Sequence, residues 1–193
     1  MRVIFISDLD GTLLGQTDFR FDEIKSAIIA FLAKGISLIP ASSKTQSEIE
    51  DFCRLLGVDL PFICENGAAL VNSHLLHRKS GKGRNTMSSH VLGRDQSALL
   101  TVWRDSLRPD LQENCIFLDE MDASGQEAIL GLAGEQLARA MDRSHSALFK
   151  FKGTPSEFVV LQEEAVRAGL VVQYGGRVCA LSAPHDKASY HQL

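Results

Sequence analysis

Val3-Ile4-Phe5-Ile6-Ser7-Asp8-Leu9-Asp10-Gly11-Thr12-Leu13-Leu14 opens the chain and decides how the rest is read. Its first four residues form an unbroken apolar run rich in β-branched side chains. That is the pattern of a strand covered on both faces in a parallel sheet. Two aspartates one residue apart follow at once. Acids placed there lie at the carboxyl end of the strand, where open α/β sheets bind their ligands. Keeping two carboxylates together beside a core is costly unless a cation compensates them. A hard divalent ion with oxygen ligands is the natural compensation.

Working outward, strand and helix patterns alternate. Phe21 to Lys34 places Ile24, Ala27, Ile28, Phe31 and Leu32 at helical spacing, and Gly35 stops it. Ser37 to Ala41 reads as a second strand, ending in Ser42-Ser43-Lys44-Thr45. Gln46 to Leu56 reads as a second helix closed by Gly57, and Phe62 to Cys64 as a third strand ending in Glu65-Asn66-Gly67. Short connections between such elements predict an α/β fold with a doubly wound, Rossmann-like parallel sheet. The texture changes near Asn72. His74 to Gly93 is polar and rich in Gly and Ser, as in a linker, and its basic part, His77 to Arg84, reads as a solvated loop. Beyond it come helical patterns at Leu99–Leu107, Gly125–Leu132, Gly134–Met141 and Ser156–Ala168. Strand patterns fall at Cys115–Leu118, at Ala147–Phe151 and in a hairpin, Leu170–Tyr174 with Val178–Leu181, turned by Gly175-Gly176. This is expected to be a small α/β module inserted in the core, giving a core of residues 1–74 with 184–193 and an insert of 75–183.

Composition narrows the classes of function. A formal net charge of −4 without a concentrated basic face argues against a nucleic-acid surface. No apolar run approaches a membrane span or a signal-peptide core. Cys53, Cys64, Cys115 and Cys179 are too scattered for a zinc pattern and sit among apolar neighbours, the behaviour of free thiols in a reducing compartment. The expected location is the cytoplasm.

The strand ends carry the chemistry. Gly11 permits a tight turn that presents amide N–H groups to an anion, and Thr12 adds a hydroxyl. An aspartate carboxylate can attack a phosphoryl group to form an aspartyl-phosphate, while a second acid protonates the leaving oxygen and later activates water. A bare Asp-x-Asp-Gly is also a calcium or turn sequence; the apolar strand before it and Thr12-Leu13-Leu14 after it argue for the phosphoryl reading.

Asp8-Leu9-Asp10-Gly11-Thr12-Leu13-Leu14 resembles the first motif of the haloacid dehalogenase superfamily, most of whose members are phosphatases. The resemblance implies that Asp8 is the nucleophile and Asp10 the acid/base, with Asp8 and Asp10 also holding Mg²⁺. Ser42, with Ser43 as the adjacent alternative, is similar to the second motif. Asp186-Lys187-Ala188 is similar to the third in the subfamily with an inserted α/β cap. Gly11, Thr12, Ser42, Ser43 and Lys187 would then hold the phosphoryl oxygens, and Lys44 and Asn66 would line the substrate. As alternatives on the residues alone, Ser42, Ser43 or Thr45 would serve as the cap of the second helix, and Lys187 as an exposed lysine. Ala41-Ser42-Ser43-Lys44-Thr45, Ser47-Glu48-Ile49-Glu50 and Pro61-Phe62-Ile63-Cys64-Glu65-Asn66-Gly67-Ala68 resemble the mannosyl-3-phosphoglycerate phosphatase branch. Arg143-Ser144-His145-Ser146 and Gly175-Gly176-Arg177 are more loosely similar to its cap.

The implied activity is Mg²⁺-dependent hydrolysis of a small phosphorylated sugar or sugar-acid. One departure stands out. Superfamily members continue past the third motif into another strand ending in an acidic cluster, whereas this chain ends at Leu193. The expectation is a core truncated at its C-terminus, a metal shell short of one carboxylate, and an apolar edge at Val3–Ile6 open to self-association. A weakly active or inactive remnant serving as a binding module is the competing reading, and a sugar phosphomutase-like enzyme a third.

Overall fold

Strand β1 (Ile4–Ser7) and strand β2 (Ser37–Pro40) pair in parallel, with Phe5 opposite Leu38 and Ile6 opposite Ile39. Helix α1 (Asp22–Ala33) makes the crossover between them, as parallel pairing requires. The structure, a computed structural model, describes residues 3–15, 21–77 and 88–190. Beyond His77, the basic stretch expected as a solvated loop lies outside those residues. Helix α2 (Gln46–Leu56) follows β2, and strand β3 (Phe62–Cys64) is carried beside β2 through a parallel bridge between Ala41 and Ile63.

Alternation along these strands builds two apolar layers. Leu38, Phe62 and Cys64 join Ile28 of α1 and Ile49, Phe52, Cys53 and Leu56 of α2. Ile39, Ile63 and Ala41 join Leu70, Leu76 and Tyr190 in a second cluster. Both faces of β2 and β3 are therefore covered, which is why their residues are almost uniformly apolar. β1 shows the open apolar edge expected of Val3–Ile6 rather than the cover on both faces that its residues alone suggest. Val3, Phe5 and Ile6 are 44%, 49% and 45% exposed, and among the described residues β1 has a strand neighbour, β2, on one side alone. The Phe5 ring meets Phe31 of α1 edge-on, with centroids 5.6 Å apart.

The sheet is also less purely parallel than expected. Strand β4 (Ala69–Val71) folds back antiparallel on β3, and strand β5 (His90–Val91) pairs with β4. Contacts divide the chain into residues 1–92 with 186–193, and residues 93–185. The first division falls later than the position between 74 and 75 read from composition, because β4, β5 and the bond from Leu92 N–H to Ala68 O tie that segment to β3.

The second unit is an antiparallel sheet in the order β6 (Cys115–Phe117), β7 (Ser146–Phe151), β9 (Cys179–Ser182), β8 (Val171–Tyr174). The expected hairpin is present, closed by Gly175 N–H donating to Val178 O. Helices α3 (Gln96–Ser106) and α7 (Pro155–Arg167) supply Leu99, Trp103, Leu161 and Ala165 to a core with Phe117, Phe149, Val172 and Leu181. Leu111 of the short helix α4 (Pro109–Glu113) joins that core, and α5 (Ala123–Leu130) and α6 (Gly134–Met141) belong to the same unit.

Candidate active site

β1 ends in a single tight turn closed on Leu9. The Leu9 carbonyl accepts from the amides of Thr12, Leu13 and Leu14 at 3.1, 2.9 and 2.8 Å, and Gly11 N–H donates to Leu14 O at 2.9 Å. Leu9 is fully buried and Leu14 nearly so, which pins the turn to the core. Gly11 has φ +72°, the left-handed conformation that glycine adopts without cost. The turn corrects one expectation: the Gly11 and Thr12 amides are engaged within the loop rather than presented to an anion. Thr12 itself is exposed.

Asp8 stands just before this turn. Its Oδ1 accepts from Leu9 N–H at 2.9 Å and from Lys187 Nζ at 2.9 Å. Half the Asp8 side chain is exposed. Lys187 begins a 3₁₀ turn, Lys187–Tyr190, and is held near β1 by two features of the same unit. Tyr190 is buried in the second apolar cluster, and its hydroxyl donates to His90 O at 2.9 Å. Gly67, at φ +106°, lies so close to Asp186 that a Cβ there would be 2.0 Å from the Asp186 carbonyl oxygen. The Glu65–Gly67 turn is itself unusual, with both Glu65 (φ 45°) and Asn66 (φ 59°) at positive φ. Non-glycine residues there store strain, which persists only where surrounding structure fixes it.

Asp10 faces a different cation. Lys44 Nζ lies 3.3 Å from Asp10 Oδ1 and 3.3 Å from Glu48 Oε1. Asp10 Oδ1 is buried with this cation opposite but no donor in hydrogen-bond geometry. Burial raises the Asp10 pKa above the ordinary carboxylate value. Lys44 opposes the rise, and the charges of Glu48 and Asp8 add to it. A carboxyl that holds its proton more readily suits a general acid.

The segment 42–48 is tied to 65–66. Ser42 N–H donates to Ile63 O, Asn66 N–H to Ser42 O, and Glu65 N–H to Lys44 O. Ser42 is 1% exposed, and its Oγ accepts from Lys44 N–H at 3.2 Å, whereas Ser43 is exposed. The helix cap is Thr45. Its Oγ1 accepts from Glu48 N–H at 3.1 Å, and Glu48 Oε2 accepts from Thr45 N–H at 2.9 Å, a reciprocal capping box. Ser42 is thus released from the capping role that the residues alone allowed it.

The structure therefore brings Asp8 to Lys187, Asp10 to Lys44, and Ser42 to Asn66. Two residues here had no assigned role from sequence. Glu48 was readable as the fourth residue of Thr45-Gln-Ser-Glu48, a capping-box pattern; that its other oxygen holds Lys44 was not. Gly67 carried no signal beyond its residue type. The acidic run Asp119-Glu120-Met121-Asp122 has local partners: Gln96 Nε2 donates to Asp119 Oδ2 at 2.9 Å, and Asp122 caps α5 by accepting from Gly125 N–H at 2.8 Å.

Among the described residues no group of three or more His, Cys, Asp or Glu could hold a metal ion. Mg²⁺ is commonly held by one or two carboxylates, with water and substrate phosphate completing the shell. The oxygen-only donors at Asp8 and Asp10, one half-exposed and one with a buried oxygen short of a donor, fit that mode. All four cysteines are buried and free.

Residues 5–87 match the profile of haloacid dehalogenase-like hydrolases. A glucosyl-3-phosphoglycerate/mannosyl-3-phosphoglycerate phosphatase of Persephonella marina is 41% identical over 68 residues, which cover 35% of this chain and 25% of that protein. The mannosyl-3-phosphoglycerate phosphatase of Pyrococcus horikoshii is 28% identical over 193 residues, covering 97% of this chain and 74% of the relative. The fold matches a haloacid dehalogenase-like hydrolase from B. subtilis with a TM-score of 0.65 at 15% identity, over 100% of this chain and 77% of that one.

Proposed function

From the match of residues 5–87 to haloacid dehalogenase-like hydrolases and the likeness to a mannosyl-3-phosphoglycerate phosphatase over 97% of the chain, we propose that the chain is a haloacid dehalogenase-like phosphatase for a phosphorylated sugar or sugar-acid, mannosyl-3-phosphoglycerate foremost. The observation that carries this reading is the approach of Lys187 Nζ to Asp8 Oδ1 at 2.9 Å, across a separation of 179 residues. A nucleophile beside a fixed cation is what phosphoryl transfer needs, because the transferred oxygens carry the charge.

In this reading an Asp8 carboxylate oxygen bonds to phosphorus while the bond from phosphorus to the ester oxygen of the substrate breaks. The electron pair stays with that oxygen, which takes the Asp10 proton. Water then attacks the aspartyl-phosphate, gives a proton to the Asp10 carboxylate, and releases phosphate with Asp8 restored. Lys187 and the hydroxyls of Ser42, Ser43 and Thr12 bind the phosphoryl oxygens, and Asn66 lines the site. Mg²⁺, held by the Asp8 carboxylate and at Asp10, supplies charge neutralisation when bound. The buried free thiols support a cytoplasmic location. The half-exposed apolar residues of β1 support self-association.

The test is phosphate release from mannosyl-3-phosphoglycerate with Mg²⁺, beside Asp8→Asn. Removal of the nucleophile should cut turnover on the order of 10³-fold or more, and chelation of Mg²⁺ should also suppress it. Turnover that survives Asp8→Asn removes the nucleophile assignment.

A further inference from the structure

The Asp10–Lys44–Glu48 line is set differently from the Asp8–Lys187 pair. Lys44 lies between two carboxylates, each 3.3 Å from its ammonium, and its side chain is 13% exposed. Its main chain is held at both ends, N–H to Ser42 Oγ and C=O from Glu65 N–H. Glu48 is held in turn by the capping box of α2. A lysine compensated by two acids in a group of net charge −1 is a poor phosphate ligand. The same lysine is well placed to fix one oxygen of Asp10 and leave the other, Oδ2, to face a substrate.

Resting on the phosphatase reading above, we propose that Lys44, held by Glu48, is a positioning residue that orients the Asp10 carboxyl for proton delivery to the leaving oxygen, rather than a residue that lines the substrate. The dependence runs from the cap of α2 through Glu48 and Lys44 to Asp10. As the bond from phosphorus to the ester oxygen of the substrate breaks, the proton moves from Asp10 to that oxygen. A proton donor displaced by about an ångström loses on the order of 10²-fold in rate, and the loss falls only on leaving groups that need the proton.

The experiment compares kcat/KM for two esters, a sugar phosphate whose alkoxide leaves badly and p-nitrophenyl phosphate whose phenolate leaves unprotonated. Lys44→Met should lower kcat/KM on the order of 10²-fold for the sugar phosphate and only slightly for the nitrophenyl ester. Lys44→Arg should restore part of the loss. Glu48→Gln keeps an amide oxygen for Thr45 N–H, so the helix cap survives if Lys44→Met does not fold. It should show the same leaving-group dependence at smaller size. An equal loss on both esters, or a rise in KM alone, overturns the inference and makes Lys44 a substrate contact. Wild-type protein that releases phosphate from neither ester overturns the phosphatase reading, and this inference with it.

Discussion

Each of the two units contains a Thr-x-x-Glu capping box, and the two are used differently. At Thr45–Glu48 the threonine is fully buried, and the glutamate divides its oxygens between the helix cap and Lys44, which faces Asp10. At Thr154–Glu157 the box is exposed. There one oxygen, Glu157 Oε2, accepts from both Thr154 N–H at 2.6 Å and Thr154 Oγ1 at 2.8 Å. The same local pattern starts both helices by satisfying amides that a helix leaves unpaired. What differs is what lies opposite: a lysine and the partly buried Asp10 carboxyl in one unit, solvent in the other. A capping motif becomes part of a site only when its acid has a second partner.

The comparison is most easily broken at the threonines. Thr45→Ala should destabilise by about 2 kcal/mol, the upper end for loss of a cap, because the threonine is fully buried and the Glu48 amide it leaves is partly so. Thr154→Ala should cost about 1 kcal/mol or less, and denaturant midpoints measure both. Equal costs would show that burial of the first box adds nothing.

A second probe treats the units alike. Burial pushes Cys64 in the first and Cys115 in the second up to about 12. In the unfolded chain these thiols ionise near their ordinary 9.0, so the folded state holds more protons above that pH. Stability is therefore complete below pH 9 and falls as pH rises toward the folded value, with each thiol contributing roughly 1 kcal/mol per pH unit. Cys64→Ser and Cys115→Ser should each flatten that alkaline slope, read from melts at increasing pH.

The smallest effect is expected at Glu157. Its hydrogen bonds from the Thr154 amide and hydroxyl hold its carboxyl below the ordinary value of 4.5. Their stabilisation is present above that value and fades as pH falls through the lowered one. Glu157→Gln should remove this dependence by slightly lowering stability at neutral pH, so that its thermal melts converge with those of the unaltered chain as pH falls from 6 to 3.

Legibility differed by element, for physical reasons. α2 matches its sequence reading to the residue, since a strong apolar period, a capping pattern and a terminal glycine coincide there, and β3 does so as an apolar run that ends at Glu65-Asn66. β4, β5 and α4 are not expected from the sequence: at 3, 2 and 5 residues none shows a period, and β4 is made by its antiparallel pairing with β3. β1 has the residues of a strand covered on both faces, yet its side chains stand half exposed, as expected of an open apolar edge. Apolarity records what a strand is suited to, and exposure depends on which neighbours pair with it. The Gly11 turn was expected from its glycine, yet the direction of its amides was set by closure on Leu9.

By itself, then, the sequence determined the alternation of strand and helix, the pair of aspartates at the end of β1, and the resemblance that gives them chemical roles. These are local properties, written in adjacent residues. Tertiary structure alone decided which cation each aspartate meets. Lys187 reaches Asp8 because Gly67 has no side chain to keep Asp186 away. Lys44 faces Asp10 because a helix cap holds it there. Charge pairing falls off over a few ångströms, so separation along the chain carries no record of it.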